Sequence, residues 1–512
     1  MMTQGELPFK YEEDKSKCGM TAVGGIGLYL DLMSRSGMIG SIERQVCARK
    51  GGQGWTDVEM VLSLVLLNLV GGDSVEDLQR LESDEGLCAL LGKSLSHGLS
   101  RKGRGRMKAR WRKAKRRHVP SASSVFRYLS SYHDEGEESR RVEGNKAYIP
   151  RPSEALKGLK GVCRDFIGFV QQNDEQRTAT LDMDATLVET EKRDALWSYK
   201  GFRAYQPLNV YWAEQDVVLH TEFRDGNVPA GFEQKRVLKE ALEQLPVTVQ
   251  RVRMRSDSAG YQHELLSYCE SRNNKGCGRI EFTVSCDVSP QFKVAVGEVE
   301  PGEWKPLLKT DRWGSRYDSG RQFAEVCFVP SGVSQKKKGC EYRYLAIREP
   351  MHEQLYFEGM ADEAPRPGFP TMEMKGDRYK VFGIVTNMDW DAQELILWHY
   401  KRCGKSEAVH SVMKQDLAGG RFPSGDFGEN AAWWWIMVLA LNLNAAMKRL
   451  VLGGKWVNKR MKAIRFSLIH IAGRVVSGAR QLRIKLGGGC RSYEWIIRLR
   501  GRILQLAPAA SG

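Results

Sequence analysis

Hydrophobic and polar positions divide the chain into a helical front, a strand-rich middle and a helical end. From Gly24 to about Tyr132 apolar residues keep helical spacing: Leu28, Leu30, Leu32 and Met33 begin one element, and Thr56-Asp57-Val58-Glu59 forms a capping box for the next. That element, Val58 to Val70, is the longest apolar stretch, interrupted by Glu59, Ser63 and Asn68. It falls short of the roughly 20 residues of a membrane span and predicts a core helix. Pro120 to Leu129 predicts another capped helix start, with Arg127 free to face a partner.

Past the polar connector Asp134 to Pro152 the period changes to two. Thr178 to Asp184 sets Ala179, Leu181 and Met183 on one face and Thr180, Asp182 and Asp184 on the other. Pro207 to Ala213 and Val217 to Phe223 predict a hairpin, Phe232 to Leu245 a helix stopped by Pro246, and a fourth strand runs up to Asp257. A helix over Tyr261 to Ser271 and a strand over Ile280 to Ser285 follow. Strand-like pieces such as Glu325 to Val329 and Tyr342 to Ile347, with turn and basic residues around Ser334 to Gly339, make about Asp287 to Asp377 a β-rich insertion. Tyr379 to Thr386 resumes as a strand, Asp391 begins a long helix, and helices are expected to the end, including apolar Ala431 to Leu443 and basic Lys462 to Lys485.

Three strands, helix, strand, helix, strand is the ribonuclease H-like order. The expected fold is therefore α/β: a ribonuclease H-like catalytic core with a β-rich insertion, flanked by helical N-terminal and C-terminal regions. The expected divisions are a helical, DNA-binding 1–150 with a basic arm, core 151–286, insertion 287–378, core 379–450 and a basic helical 451–512.

Composition adds a partner class. The 512 residues suggest about three domains. A net charge of +16 and a pI near 9.3 suit a polyanion, although charge alone fits a merely basic protein equally well. Arg101 to Arg117 concentrates eleven basic residues in seventeen, without an apolar face. As a loop or arm it would lay Arg104, Arg106, Lys108, Arg110, Arg112 and Lys113 along phosphates, with Trp111 able to stack on a base; the bland reading is a solvated linker. The eleven Cys lack any C-x-x-C pair, so neither a zinc ribbon nor a disulfide framework is indicated, and a reducing cytoplasm is expected. Glu6, Glu12, Glu13 and Asp14 do not make the start of a signal peptide.

The chemistry rests on three carboxylates from separate elements. Asp184 ends a central strand, with Asp182 two residues earlier on the same face; Asp257 ends the next strand before a Gly-containing turn. Glu407 lies on the late helix midway between Tyr400 and Lys414, seven residues from each, which keeps all three within about 20° per step on one face. Val409, Val412 and Met413 fall opposite. Singly these are a strand-end acid, a helix N-cap and a solvated face. Together they can hold two divalent metals that activate an attacking oxygen and stabilise a leaving one.

At Asp184-Ala185-Thr186, the Arg255-to-Tyr261 turn, Thr386-Asn387 and the Tyr400, Glu407, Lys414 spacing, the chain resembles the insertion-sequence DDE transposases, and within them the insertion-sequence 1380 family. The likeness also covers Gly24 to Leu32, Leu69 to Leu78 and the arginine-rich Arg465 to Arg483, read as a final helix. It implies a catalytic triad of Asp184, Asp257 and Glu407 binding two Mg²⁺, replaceable by Mn²⁺. Tyr400 and Lys414 are implied as DNA contacts. The family signature puts Arg three residues after Tyr400, where this chain has Cys403, so Arg402 is the substitute DNA contact. The resemblance further implies a bacterial, nucleoid-associated protein that meets double-stranded DNA as terminal inverted repeats and target, works as a homodimer in the synaptic complex, and uses no membrane. Its activity would be metal-dependent cleavage at its own element's inverted repeats, then strand transfer. The alternatives are a catalytically silent DNA-binding protein of transposase descent and a metal-dependent DNA nuclease without strand transfer.

Overall fold

The computed structural model describes residues 19–509 except 50, 52, 98, 111–116, 144–145, 273, 275–276, 312, 331–340, 352–368, 479–480 and 488–490. Alternation in the middle of the chain becomes β1 (Thr178–Ala185), β2 (Leu208–Trp212), β3 (Val217–Glu222), β4 (Arg251–Ser256) and β5 (Glu281–Cys286). They lie side by side as β3-β2-β1-β4-β5. The β2–β3 hairpin is antiparallel to β1, whereas β1, β4 and β5 run parallel. Parallel neighbours need long crossovers, and helices Gln234–Leu242 and His263–Glu270 supply them.

The segment expected as an insertion continues this sheet. β6 (Lys305–Thr310), β7 (Arg316–Val326), β8 (Arg343–Pro350) and β9 (Asp377–Thr386) extend it from β5 in the order β9-β8-β7-β6. Strand Thr371–Met374 pairs on β9, which completes ten strands in one mixed sheet. The expected basic turn around Ser334 to Gly339 lies outside the described residues.

Helices cover the sheet. Thr56 and Glu59 form the expected capping box at the start of α1 (Asp57–Val70), which is buried along most of its length. α2 (Ala392–Ser411) packs on the sheet, and α3 (Phe427–Ala446) is buried at nearly every residue. Within α3, Asn442 donates to Val218 O and accepts from Val218 N, both at 2.8 Å, satisfying the backbone beside the irregular step in the β2–β3 pairing. The helical run Phe427–Leu452 spans 26 residues and is apolar enough to cross a membrane, but it is packed inside the protein against α1 and β3.

The C-terminal region departs from the expected run of helices. Helix Met461–Ile464 and a wider turn to Ile469 give way to a hairpin, Gly473–Gly478 with Gln481–Leu486, and Met20–Thr21 pairs on it as a third strand. The physical reason is a period of two: Leu482, Ile484 and Leu486 alternate with exposed Arg483 and Lys485. The chain's two ends build one unit, because helix Arg491–Gln505 packs on Ile26–Arg35 and Arg500 pairs with Asp31 at 2.8 Å.

Candidate active site

β1 and β4 end side by side, and each delivers a carboxylate. Asp184 stands opposite Asn209 of β2, its side chain 20% exposed. Asp257 follows β4 and caps the turn Ser258–Gly260 by accepting from Ala259 N at 3.1 Å. That turn needs glycine at Gly260, since a Cβ there would sit 2.5 Å from Ser256 Oγ. Burial pushes Asp184 up to about 7; Arg402 opposes the shift, and the charges of Asp257 and Asp182 add to it. The two acids expected on neighbouring strand ends therefore do meet electrostatically.

Asp182 has a different place. Its side chain is fully buried beneath Asp184 and gripped through two hydrogen bonds by Arg255, at 2.6 and 2.8 Å. Parallel pairing sets Asp182 directly opposite Arg255. The same guanidinium donates to Trp398 O at 2.6 Å and lies 4.8 Å over the Trp398 ring, so one arginine ties β1, β4 and α2 together.

α2 meets the sheet through Leu395, Ile396, His399, Arg402 and Ser406. His399 bonds Thr283 Oγ1 at 2.9 Å and Ser285 Oγ at 3.0 Å, and burial pushes it down to about 3. His410, pushed down to about 4 mainly by burial, accepts from Asn209 Nδ2 at 3.2 Å. Arg402, expected at DNA, is instead 7% exposed and pairs with Asp184 at 3.3 Å. From an apolar stripe with charged neighbours, these polar contacts on the sheet-facing side were not legible.

The Glu407 side chain is exposed and makes no hydrogen bond or ion pair among the described residues. Its direction follows from two neighbours. Lys405 donates to Ala213 O at 2.7 Å and pairs with Asp216 at 2.8 Å, at the β2–β3 turn and the far end of β1 from Asp184. Two residues on, Glu407 lies about 200° round the helix from Lys405 and so faces the other edge. Lys414, on the Glu407 side, donates at 3.3 Å to Leu187 O, three residues beyond Asp184. Burial lowers the Lys414 pKa, and the charge of Lys200 adds to the effect. Tyr400 is half-buried against the cluster containing Leu307 and Phe323, with the charge of Arg321 nearby, rather than open to solvent.

The basic arm is a helix over its first half, Arg101–Ala109, capped by Ser100, because a solvated helix needs no apolar face. Arg104, Arg106 and Lys108 are exposed. Arg110 is not a free cation: it donates to the Glu59 carboxylate at 3.2 and 3.3 Å and to Gly54 O at 3.3 Å. Arg112, Lys113 and Trp111 lie outside the described residues. Changing Arg104, Arg106 and Lys108 to Gln should weaken binding of repeat and random DNA alike and flatten the salt dependence by up to about 0.9 per lost contact. Arg110→Ala should instead lower the melting temperature while leaving that slope nearly intact. Titrations at several salt concentrations, with thermal melts, separate the two; repeat-specific loss at constant slope would mean base reading.

No curated protein matches the chain. Among solved structures it is similar to the piggyBac transposase synaptic complex with hairpin DNA, at 12% identity and a TM-score of 0.42, over 97% of this chain and 89% of that one. The family model described as transposase DDE domain group 1 matches residues 20–283 and 371–508, a span that includes Asp184, Asp257 and Glu407 and omits β6, β7 and β8 entirely. The chain belongs to this family of DDE transposases.

Proposed function

We propose that this transposase cleaves DNA at the terminal inverted repeats of its own insertion sequence and joins the freed 3′ ends to target DNA, as a homodimer in a bacterial cell. The observation that carries the reading is the pair Asp184 and Asp257 on adjacent strand ends, where burial and neighbouring charge hold Asp184 up at about 7. The β3-β2-β1-β4-β5 order with helical crossovers supports a ribonuclease H-like core.

Divalent metals belong to the chemistry of DDE transposases. The donor chemistry suits Mg²⁺ or Mn²⁺, because Asp184, Asp257 and Glu407 offer only carboxylate oxygens and Glu407 has no competing side-chain partner among the described residues; in the metal-free chain the oxygens of the three do not all lie within 4.8 Å of one another. Two such ions, when bound, would supply positive charge at the attacking and leaving oxygens. The chain's own residues position that site. Arg255 immobilises the strand pair through Asp182, Arg402 orients Asp184, and Lys414 adds a cation where the phosphate would approach.

The test uses purified protein, a plasmid carrying the element's two ends, and Mg²⁺. Excised ends with 3′ hydroxyls, followed by joined products that vanish on chelation, are the expected result. Cutting without joining would favour a nuclease, and metal-supported binding without any cutting would overturn the enzymatic reading.

A further inference from the structure

Three residues after Asp184, the chain leaves the sheet on an excursion that returns at β2. Val188–Glu189 pairs with Ala204–Tyr205, and beyond this ladder Trp197 bridges Arg203. The tip closes when Ser198 N donates to Phe202 O at 2.8 Å, and Gly201, at φ 80°, donates to Ser198 O at 3.0 Å. Its base is fixed from below. Leu196 N donates at 2.8 Å to buried Asp225, which pairs with buried Arg141, and Arg141 reaches Asp194 O at 2.8 Å.

This braced tip exposes two aromatic rings. Trp197 is 59% and Tyr199 75% exposed. Each has a cation near it: Arg203 lies 5.5 Å from the Trp197 ring centre and Lys200 5.9 Å from that of Tyr199. Lone exposed aromatics are ordinary on protein surfaces. Two on one rigid tip, each beside a cation, form a platform for a flat, electron-rich partner attached to an anionic backbone. The charge of Lys200 bears on Lys414, whose ammonium sits at Leu187 O, so the platform borders the Asp184 edge.

We propose that Trp197 and Tyr199 stack on an unpaired nucleobase at the DNA end held in the active site, with Lys200 on the adjoining phosphate, while Arg203 braces the tip by donating to Arg193 O and to Ala195 O. A paired base inside the helix is already stacked on both sides and a terminal pair offers one face only, so two open rings favour a base that has left the helix. This assignment rests on the reading of the Asp184 edge as the DNA-cutting site.

The probe is a duplex with a short 5′ overhang carrying 2-aminopurine, mixed with the full chain without divalent metal so that nothing is cut. Wild type should quench the overhang fluorescence and leave the same base unquenched in the duplex interior. Trp197→Ala with Tyr199→Ala should lose the quench and bind the overhang duplex about tenfold more weakly. Blunt-duplex affinity and the salt slope should be unchanged, and Trp197→Phe should keep the quench. Lys200→Gln should flatten the salt slope instead. Circular dichroism checks that each variant is folded. A quench retained by the double alanine variant, or equal losses on blunt and overhang duplexes, would overturn the platform. Failure of the active-site reading shows separately, as normal cleavage by Asp184→Asn.

Discussion

Asp184→Asn, Asp257→Asn and Glu407→Gln should each abolish metal-dependent cleavage while repeat binding and the fold survive. Each change keeps size and removes one metal-binding charge, and losing several kcal/mol of charge stabilisation corresponds to about a thousandfold or more in rate. The structure refines what accompanies that loss. With Asp184 held at about 7 in the metal-free protein, a proton competes for the site below that pH. Divalent-ion affinity should therefore rise with pH towards about 7 and level off above it, with a proton released on binding below about pH 7 and none well above it. Calorimetry in buffers of different ionisation enthalpy measures the released proton, and Asp184→Asn should remove it. Normal cleavage by all three variants in Mg²⁺ would end the triad assignment.

The second large effect concerns stability. Asp182 shares a strand face with Asp184, which makes its removal look like a mild control for catalysis. Its burial against Arg255 forbids that use. Arg255→Ala leaves a carboxylate in the interior without its partner, and Asp182→Ala leaves a guanidinium, a situation that costs about 3 to 5 kcal/mol. Both single variants should unfold at clearly lower urea concentration than the wild type. Asp182→Leu with Arg255→Met should recover most of the difference, since packed apolar side chains of similar volume can replace a buried pair. Cleavage should stay low in the recovered double variant, because Arg255 also holds Trp398 and thus the seat of α2 against β4. If the singles melt like the wild type, the pair is not the clamp that the geometry describes.

The alternation at Thr178 to Asp184, the capping box at Thr56 and the crossovers before β4 and β5 were legible because each depends on local period or a local hydrogen bond. The same holds for the placement of Asp184 and Asp257 at strand ends and of Glu407 on a late helix, since each follows from a recognisable element. Glu407's seven-residue spacing from Tyr400 and Lys414 described a helix face but not what that face borders, which Lys414 and Lys405 reveal by reaching opposite ends of β1. Composition misled where a basic run was read as helix: Leu482, Ile484 and Leu486 alternate with exposed Arg483 and Lys485, so the run folds as the hairpin Gly473 to Leu486, and Met20–Thr21 pairs on its edge. The segment after β5 was seen as strands, yet only pairing across about a hundred residues, Thr283 with Thr386, makes it part of the same sheet. Register likewise decided the roles of the arginines. Arg255 meets Asp182 because β1 and β4 pair in parallel, and Arg402 meets Asp184 because α2 lays that face on the sheet. Period and capping are properties of neighbours in the chain and can be read there; charge pairing and burial are properties of neighbours in space, which only the closed sheet and its helices bring together.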